Sequence, residues 1–330
     1  MKAAQLAQFG NPPEVIELVD LPDPGPPAAG QVVIDLEAAS INPADLLTLT
    51  GQYGAKPPEL PLVPGAEGVG RVSAVGPGVE NVKIGDRVIN PGRGNWREKV
   101  VAPARALTPL PAAADVLQLA MLKVNPPTAY LMVHRIVDLQ AGDWLIQNAA
   151  NSGVGQSVIR LAKAAGFKTV NVVRRPELIA RLTAIGADAV VLDGDDLAAR
   201  VAEATGGNPP KLGIDAVGGG ATRHLAQALA ESATLVNYGL LSGRPLEIDA
   251  RETVFRDLRV RGFWLARWAA RATPAEAAEI YGKLGALVVS GQLSVAVEAT
   301  YPLAEVKAAV AHALRAGRDG KVLLTLPALG

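Results

Sequence analysis

The sequence contains no cysteine among its 330 residues, and this absence removes several classes of chemistry. A disulfide framework, a thiolate nucleophile and a zinc site built on cysteine are excluded, because all three need the cysteine sulfur. Histidine, the other common zinc ligand, occurs only at His134, His224 and His312. These three lie far apart in the sequence, each inside a predicted helix, which favours ordinary surface or packing roles. We therefore expect no metal at the functional site.

Net charge and long apolar runs are absent as well. The 32 basic residues balance 32 acidic ones, which argues against a general nucleic-acid partner because such proteins need a basic surface. No apolar run is long enough to span a membrane, and the first residues lack the apolar core of a signal peptide. With 49% hydrophobic residues, the chain is expected to be a globular, soluble, cytoplasmic protein without a membrane partner.

The most informative stretch that is present runs from Leu145 to Gln156. It begins with an apolar run, continues into a turn of small residues, and ends where a helical pattern of apolar residues begins. This is the usual arrangement for holding a dinucleotide pyrophosphate, because small residues admit the phosphates and a helix N-terminus offers unpaired N–H groups. The match to G-x-G-x-x-G is imperfect, since the register Ala150, Ser152, Gly155 keeps only the last glycine. Taken alone, the turn leaves nucleotide binding and a plain strand–helix turn equally open.

The order of the predicted elements favours nucleotide binding. Residues 1 to about 110 show short strands separated by glycine and proline turns, a pattern that predicts a small barrel or sandwich. The strands predicted there are 32–38, 70–76 and 86–89, with a loop at 51–61. Helices are predicted next, at 112–122 and 128–137.

Strand and helix patterns then alternate as far as residue 265, which predicts right-handed βαβ units and a six-stranded parallel sheet. The predicted strands of this region are 144–149, 168–173, 189–192, 212–217, 234–238 and 260–265. The small-residue turn follows the first of these strands, where pyrophosphate belongs. After residue 268 come a helix at 274–290, a strand at 295–301, a helix at 303–316 and a strand at 321–325. We expect this tail to return to the N-terminal domain.

The tip of the second strand of this sheet indicates which cofactor binds. In NAD enzymes an acidic residue near this tip binds the ribose 2′-hydroxyl. Here the strand ends in Arg174 and Arg175, whose guanidinium groups suit a 2′-phosphate because they form paired, charge-assisted hydrogen bonds. The alternatives are a solvated pair of arginines, and Glu177 as the acid, although it lies beyond Pro176. We therefore predict NADPH.

With these residues the chain resembles the medium-chain dehydrogenase/reductase superfamily, in its zinc-independent, quinone oxidoreductase-like branch. More narrowly, it is similar to the mitochondrial-type trans-2-enoyl-thioester reductases, over nearly its full length. The stretches that carry the resemblance are 51–54, 124–130, 147–156, 171–174 and 261–265. The resemblance implies an α/β protein with two domains. One is a GroES-like β-barrel catalytic domain, residues 1–122 and 268–330, and the other is a Rossmann NADPH-binding domain with a doubly wound six-stranded parallel sheet, residues 123–267.

The resemblance also implies roles for single residues. Tyr53 matches the catalytic tyrosine. The residues that match the cofactor site are Asn125, Asn151, Ser152, Gly153, Val154, Arg174, Arg175, Tyr238, Gly239, Leu240, Leu241, Phe263, Trp264, Leu265 and Lys321. Zinc-dependent relatives carry a cysteine where Ser40 stands and a histidine where Ala66 stands, so the resemblance implies no metal. It also implies a homodimer that pairs the last strand of the parallel sheet with its two-fold mate.

The reaction implied is NADPH-dependent reduction of the C2=C3 double bond of an enoyl thioester carried on CoA or an acyl carrier protein. It needs a hydride donor facing the β-carbon, stabilisation of the carbonyl oxygen as enolate charge develops, and a proton for the α-carbon. Tyr53, in a loop of the barrel domain, could supply the hydrogen bond and proton. Two alternatives stay open: a zinc-independent NADPH:quinone or general alkene oxidoreductase, and a non-catalytic NADPH-binding protein.

Overall fold

Two six-stranded sheets organise the chain in a computed structural model, which describes residues 1–54 and 59–329. One sheet belongs to a unit formed by Met1–Val124 and Tyr281–Gly330, and the other to a unit formed by Asn125–Ile280. The functional domain limits expected from the sequence, 1–122 with 268–330 and 123–267, stay a prediction. The loop predicted at 51–61 lies partly outside the described residues.

The N-terminal segment contributes strands to the first unit. They are β1 (Lys2–Leu6), β2 (Ile16–Asp20), β3 (Gln31–Ser40), β4 (Gly68–Val75), β5 (Arg87–Ile89) and β6 (Lys99–Pro103), with the helices α1 (Pro12–Val15), α2 (Pro43–Leu49) and α3 (Val116–Leu119). The three strands predicted in this segment are confirmed as β3, β4 and β5. The helix predicted over 112–122 is wrong in extent, because Arg87 Nη1 donates to the carbonyl oxygens of Ala112 and Ala114 and Asp115 caps the helix that follows.

The second unit alternates helices and strands. Its helices are α4 (Asn125–Arg135), α5 (Gly153–Ala165), α6 (Leu178–Ala184), α7 (Leu197–Ala204), α8 (Gly220–Ala228), α9 (Ala250–Phe255) and α10 (Leu265–Ala269). Its strands are β7 (Trp144–Gln147), β8 (Lys168–Val173), β9 (Ala189–Leu192), β10 (Leu212–Asp215), β11 (Thr234–Asn237) and β12 (Arg259–Gly262). They form one parallel sheet in the order β12-β11-β10-β7-β8-β9, which confirms the predicted six-stranded parallel sheet.

Several predicted ends in this unit need correction. The strands predicted over 144–149 and 212–217 end earlier, at Gln147 and Asp215. The helix predicted over 128–137 begins earlier, at Asn125, because Pro126 and Pro127 occupy its first turn, where a missing N–H costs nothing. The strand predicted to reach residue 265 ends at Gly262, and Trp264 caps α10. The apolar faces of strands and helices enclose a core that includes Ile146, Val170, Leu225 and Leu235.

The C-terminal segment forms α11 (Pro274–Val289), β13 (Val297–Pro302), α12 (Val306–Leu314) and β14 (Lys321–Thr325). In the first unit β14 lies antiparallel to β3 and parallel to β13, completing the order β13-β14-β3-β4-β5 with β6 on β3. The helix predicted over 303–316 is divided, with a short 3-10 turn before α12. Within the described ranges, every helix is too short or too polar to cross a membrane.

Candidate active site

The order of the parallel sheet creates a switch point between its two central strands. β7 and β10 are neighbours, and the chain continues outward from them on opposite sides of the sheet. In open α/β sheets, ligands bind outside the carboxyl ends of the strands at such a point. The turn after β7 is therefore in the position expected of a dinucleotide site.

The turn itself is built by close backbone packing. Ser152 caps α5, and its Oγ accepts a hydrogen bond from the Gly155 N–H at 3.1 Å. A Cβ at Gly155 would lie 2.5 Å from the Ala150 carbonyl oxygen, so only glycine fits there. A Cβ at Gly153 would lie 3.2 Å from Asn125 Cγ, which places Asn125 beside the turn. The turn from Ala150 to Gly155, here called the phosphate cradle, can hold a phosphate with the first-turn N–H groups of α5.

Buried Asp215 joins the strand ends beneath this turn. Its Oδ1 accepts from Asn148 Nδ2 at 2.6 Å and from two N–H groups of the following loop. Its Oδ2 accepts from Thr222 Oγ1 at 2.7 Å and Asn237 Nδ2 at 3.1 Å. The carboxylate thereby ties the ends of β7, β10 and β11 together. Sequence reasoning missed this group, although an acidic residue just before a glycine run was a visible signal.

The two predicted 2′-phosphate ligands differ in their surroundings. Arg174 lies exposed after β8, the strand next to β7, and the half-buried Arg175 donates from Nη1 to Glu177 Oε1 at 3.3 Å. Glu177, the rival acid, is thus paired with Arg175. Two guanidinium groups after the second strand of the fold suit a phosphate monoester.

The remaining predicted cofactor residues of this unit follow β11 and β12. Tyr238 forms a side-chain hydrogen bond with Ser152, and burial raises the pKa of its phenol above the usual value, so the hydroxyl stays protonated. The Phe263 N–H donates to the Asn237 carbonyl at 2.8 Å, which holds the two strand ends together.

The loop after β11 also packs closely. A Cβ at Gly239 would lie 2.6 Å from the Ala216 carbonyl oxygen. Leu240 and Leu241 are 53% and 56% exposed. The structure therefore brings the predicted cofactor residues of this unit to the carboxyl edge of its sheet. Asn151, Val154, Trp264 and Leu265 lie there too, by their positions after β7 and β12.

Tyr53 belongs to the first unit. Its side chain is half-buried, and its backbone lies between Gly51 and Gly54, whose φ angles are +74° and +75°. The guanidinium carbon of Arg93 lies 5.2 Å from the centre of the Tyr53 ring. A phenol at this position is a neutral hydrogen-bond and proton donor.

The place where zinc-dependent relatives bind metal contains a different donor set. Ser40 Oγ donates to Glu67 Oε1 at 2.5 Å, and Asn42 Nδ2 donates to the same oxygen at 2.8 Å. The Val124 N–H donates to Glu67 Oε2 at 2.8 Å. Lys321 Nζ donates to Asn42 Oδ1 at 2.5 Å and to the Ile41 carbonyl. Glu67 offers one carboxylate, but the hydroxyl, amide and ammonium groups around it do not complete a zinc site, which needs further thiolate, imidazole or carboxylate ligands.

Burial shifts the pKa values of three charged groups near Glu67, which are Asp45, Lys123 and Lys321. It raises the pKa of the Asp45 carboxyl to about 6, although the Asn42 N–H opposes the shift. It lowers the pKa of Lys123 to about 8 and that of Lys321 to about 8. Lys321, predicted as a cofactor residue, is thus bound to Ile41 and Asn42 in the first unit, and its cofactor role stays a prediction.

The three histidines lie in three separate helices. His134 stacks near Tyr130 and Phe167, with ring centres 4.6 Å and 5.7 Å away. His224 pairs with Asp193, and His312 pairs with Glu298. Among the described residues no group of three or more His, Asp or Glu side chains could hold a metal ion.

Comparison with known proteins matches both units. Residues 28–112 match the alcohol dehydrogenase GroES-like domain, and residues 153–282 match the zinc-binding dehydrogenase family. Human mitochondrial enoyl-[acyl-carrier-protein] reductase is 37% identical over 333 residues, 99% of this chain and 89% of the human protein.

Two solved structures extend the comparison. Etr1p, a mitochondrial 2-enoyl thioester reductase of Candida tropicalis, in its complex with NADP and crotonyl-CoA superposes with a TM-score of 0.88 at 25% identity, covering 98% of this chain and 99% of the other. Escherichia coli quinone oxidoreductase complexed with NADPH also gives a TM-score of 0.88, at 27% identity, covering 98% and 100%.

The fold and these matches define a medium-chain dehydrogenase/reductase, and hence an oxidoreductase. Within that class the chain belongs to the family of the mitochondrial enoyl-[acyl-carrier-protein] reductases. The predicted family and the predicted fold class, a GroES-like domain with a Rossmann domain, are confirmed. The proteins that match this chain include enoyl reductases and a quinone oxidoreductase, so they support enoyl reduction or quinone-type oxidoreduction.

Proposed function

We propose that this chain reduces the C2=C3 double bond of trans-2-enoyl thioesters with NADPH. The observation that carries the proposal is the arrangement of the parallel sheet. Its carboxyl edge presents a phosphate cradle after β7 and two arginines after β8, in a chain whose relatives are named enoyl reductases. When bound, NADPH would supply the hydride for the β-carbon.

The chain's own groups have distinct tasks in this proposal. The turn residues Asn151 to Val154 hold the pyrophosphate on the N-terminus of α5, and Arg174 and Arg175 hold the 2′-phosphate. Asn125, the loop 238–241 and the stretch 263–265 shape the site for the nicotinamide. Lys321, which belongs to the first unit, is kept in this proposal as a predicted cofactor residue.

Tyr53 is the proposed catalytic residue. Its hydroxyl donates a hydrogen bond to the thioester carbonyl as enolate charge develops, and supplies the proton that the α-carbon needs. A neutral phenol suits both tasks because it can donate at neutral pH without carrying a charge.

An NADPH-oxidation screen tests this function. It compares enoyl-CoA substrates of several chain lengths, beginning with crotonyl-CoA, against a simple quinone. We expect crotonyl-CoA and its homologues to be the better substrates by kcat/KM. NADPH binding without turnover of any acceptor would instead support a non-catalytic NADPH-binding protein.

A quinone or general alkene reductase is the second candidate, and one observation favours it. The Escherichia coli quinone oxidoreductase matches this chain over 98% of its length with the same TM-score as the enoyl reductase complex. It would share the fold, the cofactor and the absence of zinc chemistry. A quinone reduced faster than every enoyl thioester in the same screen would establish it.

We also propose that the chain forms a homodimer through β12. This strand lies at the edge of the parallel sheet, and all four of its residues are exposed. The preceding helix adds apolar surface, with Val254 69% and Phe255 75% exposed. An open edge beside apolar surface favours pairing with a second copy. Light scattering should give the mass of two chains, and Val260→Lys should give one; a monomeric wild type would contradict the proposal.

A further inference from the structure

We propose that Arg93 is a positioning residue for Tyr53, holding the phenol ring in place for proton transfer. This inference rests on the proposed function, since it assumes that the Tyr53 hydroxyl takes part in the reaction. Its basis is the contact between the two side chains, whose separation of 5.2 Å is within the range of a cation–π interaction. The phenol is the group to be positioned, and the guanidinium is the group that positions it.

The loop that carries Arg93 is held firmly. Asn95 is fully buried, and its Nδ2 donates to the Gly65 carbonyl at 3.1 Å while its Oδ1 accepts from Asn90 Nδ2 at 2.9 Å. The Gly94 N–H donates to the same Gly65 carbonyl at 2.9 Å. The residues on both sides of the exposed Arg93 are therefore fixed to the interior, which gives the backbone of Arg93 a defined position.

Charged groups of both signs lie in the interior near Arg93. The Lys123 ammonium donates to the carbonyl oxygens of Ala66 and Gly92, and Gly92 precedes Arg93 in the same loop. Arg93 and Lys123 repel each other, and Arg93 contributes to lowering the Lys123 pKa after burial, the main cause. The buried Asp45 carboxyl attracts Arg93, so the place of the guanidinium follows from its observed contact with the Tyr53 ring and not from Lys123 alone.

The Tyr53 backbone runs between two glycines in the left-handed region, and glycine leaves the chain more conformational freedom than any other residue. A ring that must deliver a proton requires a defined position, because misplacement of a donor lowers the rate steeply. A guanidinium on a fixed loop can supply that position without touching the reacting atoms.

The first experiment observes the ring directly. The protein is labelled with 3-fluorotyrosine, and the Tyr53 signal among the five tyrosines is identified by its loss in Tyr53→Phe. In the fluorine NMR spectrum, Arg93→Gln should shift and broaden the Tyr53 signal and leave the other four in place. The control Arg105→Gln, at another exposed arginine of the same unit, should leave all five unchanged. An unmoved Tyr53 signal in Arg93→Gln would overturn the contact.

The second experiment asks whether Arg93 acts through Tyr53. Arg93→Gln should lower kcat for crotonyl-CoA by about 2- to 30-fold, the range expected from a cation–π contact, with an unchanged KM for NADPH. Arg93→Lys, which keeps the cation, should recover part of the loss. In a Tyr53→Phe background, Arg93→Gln should have no further effect, because no hydroxyl is left to position.

The outcomes separate this inference from the proposed function. The same fold-loss from Arg93→Gln with and without the Tyr53 hydroxyl would overturn the positioning role. Full activity in Tyr53→Phe alone would overturn the catalytic role of Tyr53, whereas the fluorine spectrum would still decide whether Arg93 holds the ring.

Discussion

The Arg93 guanidinium carbon lies 5.2 Å from the centre of the Tyr53 ring, and the two residues come from different loops of the same unit. The Tyr53 loop follows α2, whereas the Arg93 loop joins β5 to β6. A short family motif at 51–54 is enough to single out Tyr53. Only the folded chain shows that a cation lies over its ring.

Arg174→Ala should weaken NADPH binding selectively. Each charge-assisted hydrogen bond to the 2′-phosphate is worth about 1.5–3 kcal/mol, so the NADPH dissociation constant should rise about 10- to 150-fold while that of NADH changes little. Fluorescence titration with both nucleotides measures the ratio. Arg135→Ala, at the exposed end of α4, is the control and should leave both constants unchanged. An unaltered NADPH-to-NADH ratio in Arg174→Ala would refute the 2′-phosphate site.

Gly155→Ala should destabilise the turn after β7. Its Cβ would lie 2.5 Å from the Ala150 carbonyl oxygen, and such overpacking costs about 1–3 kcal/mol of unfolding free energy. NADPH affinity should fall as well, because the N-terminus of α5 must move.

A matched control exists at Gly282, in α11, where an added Cβ meets no described atom within 4 Å. Gly282→Ala should be neutral, or stabilise by up to about 1 kcal/mol, because alanine favours the helix. Urea unfolding of both variants gives the comparison, and equal stabilities of the two would contradict the cradle geometry.

Lys321→Met should change how stability depends on pH. Burial lowers the Lys321 pKa from 10.5 to about 8, so between these values the folded chain binds fewer protons than the unfolded chain. This group therefore makes the unfolding free energy rise as pH increases through that window. The wild type should gain about 2–3 kcal/mol relative to Lys321→Met between pH 8 and pH 10.

Urea unfolding of both proteins at several pH values measures this difference. A gap between wild type and variant that is constant across the window, or that narrows, would show that Lys321 is not a buried ammonium with a lowered pKa.

Much of the parallel sheet could be predicted from local pattern. All of its strands except β12, which reads Arg-Val-Arg-Gly, are short and mostly apolar runs, and the strand predicted over 168–173 has the observed bounds of β8. The helix predicted over 112–122 failed because contacts distant in sequence decide it, as Arg87 binds the carbonyl oxygens before α3. The amino-acid composition around residues 112–122 does not indicate such a contact.

The candidate site likewise contains some features that local sequence shows and others that depend on contacts distant in sequence. The small-residue turn and the two arginines are local signals, so the sequence shows them directly. Asp215 and Arg93 gain their importance from partners in other loops and strands, such as Asn148 and Tyr53. A single sequence without pairing information cannot show these relations.

The proposed role of Tyr53 is tested most directly by comparing wild type and Tyr53→Phe in NADPH oxidation with crotonyl-CoA, alongside NADPH titration of both proteins. Tyr53→Phe should bind NADPH with the wild-type dissociation constant but lose about 10²- to 10⁴-fold in kcat, the usual contribution of a positioned proton donor. Unchanged turnover of crotonyl-CoA by Tyr53→Phe would contradict this role.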